Sequence, residues 1–314
     1  MNIQYLEPFS RALTRMKKAL FQPFDIRKWF ILGFTAFLAG LTDCHGSSGG
    51  RAGGDKTARW EDVMELPQRA SDWLLDHPGW FALIVAGACI LLVLALLAAW
   101  LSSRGKFMFL DNVVHNRAQI TNPWREYRVE GNSLFVWTIC IGFVLLAIIG
   151  VYVVECFSSL HELYLRLGSS PLLIGPAIWM VLGFLAIIIV AAYIELFLAD
   201  FVVPIMYRYR IKTLQALSLF FRPLSSHPMH FIGYGLLVFL LLIFIVIGVV
   251  VVGLLTCCVG FLILAIPYVN EVLLLPVTYT FRAFSVEFLE QFGAEYHLFP
   301  RGEVGTADQG TQPS

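Results

Sequence analysis

Apolar residues run almost unbroken through five stretches of the chain, 80–101, 134–154, 172–198, 231–255 and 261–281. A helix needs about 20 consecutive apolar residues to cross the hydrocarbon core of a bilayer, and each stretch is long enough. Each is expected to be helical, because an isolated strand in lipid leaves its backbone groups unpaired. A sixth stretch, WFILGFTAFLAGL at 29–41, is shorter. At 1.5 Å per residue it reaches only about 20 Å. A signal peptide is not expected there, since a long segment precedes it and no A-x-A site follows. The stretches 231–255 and 261–281 are separated by TCCVG and are expected to form a tight hairpin.

Charge decides how to treat 29–41. If it crosses, there are six spans, and seventeen Lys and Arg residues fall on one side against five on the other. If it does not, the 22 basic residues divide evenly. Cytoplasmic loops are enriched in Lys and Arg, so six spans are expected, with both termini cytoplasmic and the outer loop at 42–79. Arg27 and Lys28 lengthen the short span by snorkelling.

Polar positions repeat between the spans. Three segments each carry a basic, partly amphipathic stretch, then a proline (Pro23, Pro123 or Pro223), then a two-span hairpin. In the first, Phe9, Ala12, Leu13, Met16 and Leu20 share one helical face, and Arg11, Arg15 and Lys18 share the other. In the second, Phe109, Leu110, Val113 and Val114 lie among Arg104, Lys106 and Arg117. In the third, Ile211, Leu214, Leu217 and Phe221 follow Arg208, Arg210 and Lys212. Such helices lie in the headgroup layer with the basic face toward anionic lipid, each nearby cation adding about 1 kcal/mol of attraction. The expected fold is an all-α membrane protein of six transmembrane helices, built as three units of interfacial amphipathic helix plus helical hairpin. It forms one integral domain over 1–300, with a disordered tail at 301–314.

Composition agrees. The 314 residues are 58% hydrophobic and 14% charged, where soluble domains carry about 25% charge. Mean hydropathy is +0.74. Formal net charge is zero, which gives no reason to expect nucleic acid as a partner. The outer loop opens with the flexible HGSSGGRAGGD, and Trp60, Trp73 and Trp80 suit the membrane–water interface. It is expected to act as a tether, or to hold a protein partner as the cytoplasmic loops also can.

Few residues suggest chemistry. There is no phosphate-binding glycine loop, no H-E-x-x-H and no G-x-S-x-G, so no cofactor and no catalytic residue is expected. Cys44 lies on the outer side with Cys156, Cys257 and Cys258, where a disulfide is permitted. Asp43, Cys44 and His45 with the vicinal pair lack metal-ligand spacing. Asp111 and His115 are four residues apart and share a helical face, which suits a metal or acid–base pair and suits an ordinary surface hydrogen bond better. The intramembrane polar groups are the strongest lead. Asn270 and Glu271 sit between Pro267 and Pro276 in the last span, and Glu195, Asp200 and Glu155 lie nearer span ends. A carboxylate deep in a bilayer is costly, so Glu271 should face other helices, paired or protonated. Each proline removes a hydrogen bond to the carbonyl one turn earlier. Pro276 thereby frees the carbonyl of Val272, which then needs another donor. Asn270 and Glu271 either bind a cation or proton in a cavity or hold neighbouring helices together.

The stretches LFQPFDIRKWFILGF, NPWREYRVEGNSLFVW and TCCVGFLILAIPYVNEVLLLPVTYTFRAFSVEFLEQFG resemble an uncharacterised family of bacterial multi-pass membrane proteins. Its wider relatives are similar to the membrane domain of some glycerophosphodiester phosphodiesterases. The resemblance implies a bacterial inner-membrane location and no established activity. The expected role is non-enzymatic: organising the membrane, engaging anionic lipid or binding a partner. The alternative is a small-solute or ion transporter using Glu271. If Glu271 is protonated, Glu271→Gln leaves assembly nearly intact. A large loss of folded protein in detergent would speak for an ionised, paired carboxylate instead.

Overall fold

Among the described residues four helices are long and apolar enough to cross a bilayer: Pro78–Val114, Arg128–Leu163, Ile178–Tyr209 and Pro228–Leu255. A fifth is added if the pair Pro267–Leu273 and Leu275–Glu290, bent by 65°, counts as one. These come from a computed structural model that describes residues 3–42, 72–167, 174–256 and 259–299. No strand occurs among the described residues. The expectations for Cys44, Cys257 and Cys258, for most of the outer loop 42–79 and for the tail 301–314 fall outside them.

In chain order the helices are α1 (Leu6–Phe21), α2 (Ile26–Ala39), α3 (Pro78–Val114), α4 (Thr121–Glu126), α5 (Arg128–Leu167) and α6 (Ile174–Phe197). A π-helical turn at Leu198–Val202 leads into α7 (Val203–Tyr209). Then follow α8 (Thr213–Ser226), α9 (Pro228–Leu255), α10 (Val259–Leu264), α11 (Pro267–Leu273) and α12 (Leu275–Glu290). With 14 residues, α2 is shorter than the long apolar helices and is not among them.

The chain divides into two compact units. One comprises His45–Ala99 and Thr138–Ile194. Its described helices carry mostly exposed apolar side chains, such as Leu91, Leu146 and Val181, as a surface bathed in lipid would. Within it the Tyr152 hydroxyl donates to the Met180 carbonyl at 2.8 Å. A Cβ at Gly183 would lie 2.1 Å from that hydroxyl oxygen, so the helices meet at a residue without a side chain.

The other unit comprises Met1–Cys44, Trp100–Trp137 and Glu195–Ser314. It holds a closely packed aromatic core. Phe201 stacks on Phe220 at 5.4 Å and meets Phe231 edge-on at 5.1 Å, and Tyr234 lies 4.7 Å from Phe288. All five are essentially buried.

Parts of two segments read as loops, 102–114 and 199–209, are continuations of the long helices. Residues 102–114 extend α3, because Phe107, Met108, Leu110 and Val113 are buried in the core and no proline interrupts them. After α6 the chain stays helical through the π turn to Tyr209. On α1 the buried residues are Pro8, Ala12, Met16, Ala19 and Leu20, and the helix packs chiefly on α12. Part of its apolar face therefore meets protein, while Phe9 and Leu13 stay partly exposed. On α8 the buried side is Ala216, Phe220 and Pro223, while Leu214 and Phe221 point outward. The aromatic core selects Phe220, whose ring reaches Phe197, Phe201 and Phe231.

Small residues let α2 approach its neighbours. A Cβ on Gly105 would sit 2.6 Å from the backbone of Leu38 and Ala39, and one on Gly33 would sit 2.6 Å from Val272. Ser102 donates to the Ala39 carbonyl at 2.7 Å. At its other end Lys28 donates to Asn116 at 2.8 Å, so α2 is clamped along residues 102–116.

The last apolar stretch is broken into three helices, because Pro267 and Pro276 each interrupt the hydrogen-bond ladder. Pro267 frees the Ile263 carbonyl, which accepts from the Ile266 amide at 3.2 Å. Pro276 frees the Val272 carbonyl, and the Trp29 indole nitrogen donates to it at 2.8 Å. Tyr268 donates to the Phe30 carbonyl at 3.0 Å. These bonds join α11 to α2. Trp29→Phe is expected to cost about 1 kcal/mol, the net worth of one hydrogen bond. In a Pro276→Ala background, where a restored amide takes over the Val272 carbonyl, the same change should cost measurably less. Equal losses of melting temperature in both backgrounds would rule out this coupling.

Candidate functional site

Asp111 is buried completely on the last turn of α3, and four side chains converge on it. Arg117 binds it as a fork, Nη2 to Oδ2 at 2.8 Å and Nε to Oδ2 at 3.2 Å. The Tyr207 hydroxyl of α7 donates to Oδ1 at 2.9 Å, and that of Tyr127 approaches the same oxygen at 3.5 Å. His115 Nδ1 lies 3.2 Å from Oδ1 and 3.2 Å from the Tyr207 oxygen. The Tyr127 and Tyr207 rings stack at 4.9 Å, and Phe107 backs Tyr127 at 5.9 Å.

Local structure places these groups. The helix α3 ends in Asn116, held at φ 50, a left-handed conformation that asparagine tolerates well. That reversal carries Arg117 back toward Asp111. The side chain of Asn112 secures the return, accepting from the Gln119 amide and donating to its carbonyl, each at 3.0 Å. The helix α7 ends in Arg210, also left-handed at φ 55. Its guanidinium pairs with Glu126 and lies 3.9 Å above the centre of the Tyr127 ring.

Electrostatics match the geometry. The hydrogen bond to Asp111 holds Arg117 charged above the ordinary arginine range, against the opposing effect of burial. Burial pushes the Tyr127 hydroxyl up to about 12, with Asp111 adding to it. Burial alone would disfavour charge on Arg210, but Tyr127 and Glu126 raise its pKa instead. A cleft of about 420 Å³ opens beside this network, lined by His115, Arg117, Glu126, Tyr127, Arg208 and Arg210 among others. A second, of about 330 Å³, lies on the other side of Arg117, lined by Asp25, Arg27, Lys28, Asn116 and neighbours. No cluster of three metal-ligating side chains forms among the described residues. The side chains lining the two clefts offer hydrogen bonding and charge recognition.

The residues singled out from sequence have varied surroundings. The pair Asp111 and His115 is brought together as the helical spacing implied, with Asp111 fully buried and His115 exposed at the cleft beside it. Arg15 donates from Nε to Glu287 at 2.6 Å, and its guanidinium lies 3.7 Å over the Phe299 ring. Arg11 pairs with Glu7 and approaches Glu287 at 3.9 Å. Lys18 is exposed near the end of α1 and lines a small cleft with Asn116. Arg208 and Lys212 are exposed. Asn270 and Glu271 are half-buried on α11, with Glu271 Oε1 3.9 Å from where a Gly40 Cβ would stand.

Sequence reading passed over Tyr127, Tyr207 and the role of Arg282. Arg282 donates to the Ala199 carbonyl at 2.7 Å and lies 3.8 Å from Asp200. Asp200 also accepts from the buried Tyr234 hydroxyl at 2.9 Å. Ala199 and Asp200 sit in the π turn, where the usual ladder is broken. Asp111→Ala, which leaves Arg117 and Tyr207 without their acceptor, is expected to cost about 3 kcal/mol. Glu126→Ala, in a half-exposed pair with Arg210, should cost less than about 1 kcal/mol. Thermal unfolding in detergent checks the order; a Glu126 loss equal to that of Asp111 contradicts it.

Comparison with known proteins found no curated protein and no solved structure that matches the chain. One family pattern covers residues 4–298, nearly the whole length, and carries no link to glycerophosphodiester phosphodiesterases. The chain belongs to DUF7544, a family of unknown function.

Proposed function

We propose that this is a multi-pass protein of the bacterial inner membrane, crossing six times with both termini in the cytoplasm. It engages anionic lipid through basic segments and plays an organising, non-enzymatic role. The observation that supports this most is a meeting of segments. Residues before α2, the segment 102–133, the segment 199–230 and the end of α12 all join in one compact unit. Lys28 bonds Asn116, Ser133 meets Thr213, Arg210 pairs with Glu126, and Gln4 and Gln291 exchange hydrogen bonds. Segments on one side of a bilayer must be separated by an even number of crossings. Six crossings pair α2 with α3, α5 with α6, and α9 with the broken stretch α10–α12, which puts these segments on one side. This pairing also leaves the basic residues concentrated where the positive-inside rule wants them. The three segments then follow a common plan, each preceding a helical pair.

Of the exposed basic residues, Lys18, Arg208 and Lys212 are the ones assigned to lipid headgroups. Arg11, Arg15 and Arg210 contribute charge while held by carboxylates. Glu271, against the end of α2, serves the packing of α2 on α11 in this reading. A protein partner, if one docks, meets 42–79 or the cytoplasmic segments. The topology is tested in spheroplasts with single cysteines in a cysteine-free background. A membrane-impermeant maleimide should label Asp72→Cys and spare Asn122→Cys. Labelling of position 122 with protection of position 72 would reverse the orientation and remove the basis of this function.

A further inference from the structure

Arg117 stands between two clefts and is the hinge of a cationic surface. On one side are Arg27 and Lys28 from the start of α2. On the other are Arg208 and Arg210 from the end of α7. These five cations face three carboxylates in the same walls, Asp25, Asp111 and Glu126, an excess of two positive charges. Each carboxylate already has a task. Asp25 accepts from the Arg27 amide at 2.8 Å and caps α2, Asp111 holds Arg117, and Glu126 holds Arg210. Two guanidiniums are thereby fixed in place, while the exposed side chains of Arg27 and Arg208 make no hydrogen bond or ion pair among the described residues. Each cleft thus combines an anchored arginine with an unengaged one. Arg117 uses Nε and Nη2 on Asp111, and its Nη1 donors remain.

We propose that these paired clefts bind phosphate groups, with Arg117 as the shared anchor and Arg27 and Arg208 as the outer arms. A guanidinium fork matches phosphate oxygens in geometry as well as charge. The wall of the second cleft also offers the side-chain amide of Asn116. This deepens the lipid-engaging reading and rests on it: the phosphate belongs to a lipid headgroup or to a phosphate compound in solution. Helix C-termini at Val114 and Tyr209 oppose an anion with about half a charge each. The left-handed Arg210 and the returning Arg117 set full positive charges next to those same termini.

The test uses the full chain purified in detergent, with inorganic phosphate followed by thermal shift and phosphatidate followed by native mass spectrometry. Phosphatidylcholine is the neutral control. Arg27→Ala and Arg208→Ala are each expected to weaken binding about tenfold, the loss of one charge-assisted contact. Arg166→Ala, which removes an exposed cation near the end of α5 that lines neither cleft, should leave phosphate binding within about twofold, since only general attraction is lost. If phosphate displaces phosphatidate, one site serves both; a response to phosphatidate alone assigns a lipid headgroup, and to phosphate alone a soluble compound. If wild type prefers phosphatidate to phosphatidylcholine but the two arginine variants match it, lipid engagement stands and the clefts are not its site. If wild type shows neither phosphate binding nor lipid preference, the lipid-engaging reading falls with the proposal.

Discussion

Backbone groups released inside an apolar helix have no water to turn to, and much of this fold follows from where they go. Two breaks matter. The proline at 276 leaves the Val272 carbonyl open, and the indole of Trp29 closes it. The π turn at Leu198–Val202 disturbs the ladder near Ala199, and Arg282 donates to that carbonyl. An unpaired buried carbonyl costs as much as a lost hydrogen bond, about 1–3 kcal/mol. Each break therefore recruits a donor from a distant part of the sequence and fixes two elements to each other: α2 to α11, and the turn after α6 to α12.

The aromatic core follows from these attachments. Once Arg282 is drawn to the π turn, the neighbouring turns of α12 present Phe284 and Phe288 to Tyr234 and Phe201. Tyr234 in turn spends its hydroxyl on Asp200, which lets a large ring be buried without an orphaned polar atom. The Asp111 network obeys the same logic at the end of α3. A fully buried carboxylate is tolerated because a guanidinium fork and a tyrosine hydroxyl satisfy it. The arginine thus held then becomes part of the surface lining two clefts. Burial inside the unit and recognition outside it meet in one side chain.

The apolar runs were legible in sequence because length and hydropathy are local properties. So was the broken character of 261–281, since a proline's effect on the carbonyl four residues earlier depends on nothing distant. The donor was not legible: Trp29 is 243 residues away from Val272. The helical spacing of Asp111 and His115 placed them together. It gave no sign of Tyr207, which arrives from 92 residues beyond His115. The ends of α3 and α6 were misread for a related reason. Arg104, Lys106 and Asp200 look like loop residues, yet the first lies over the rings of Trp100 and Trp124 at 4.4 and 4.9 Å, and Asp200 accepts from the buried Tyr234 hydroxyl. Polarity alone does not distinguish a solvated charge from one whose partners are supplied by the fold.

The left-handed residue at the end of α7 has a consequence for autonomy. A glycine would adopt that backbone shape freely, whereas arginine there is strained by about 1–2 kcal/mol. What offsets the strain lies elsewhere in the chain, in the carboxylate of Glu126 and the face of Tyr127. The bend after Tyr209 is thus borrowed from a neighbouring segment and does not belong to its own sequence. Grafted into another protein without that neighbour, the same residues would lose the contacts that offset the strain and would tend to relax out of the bend.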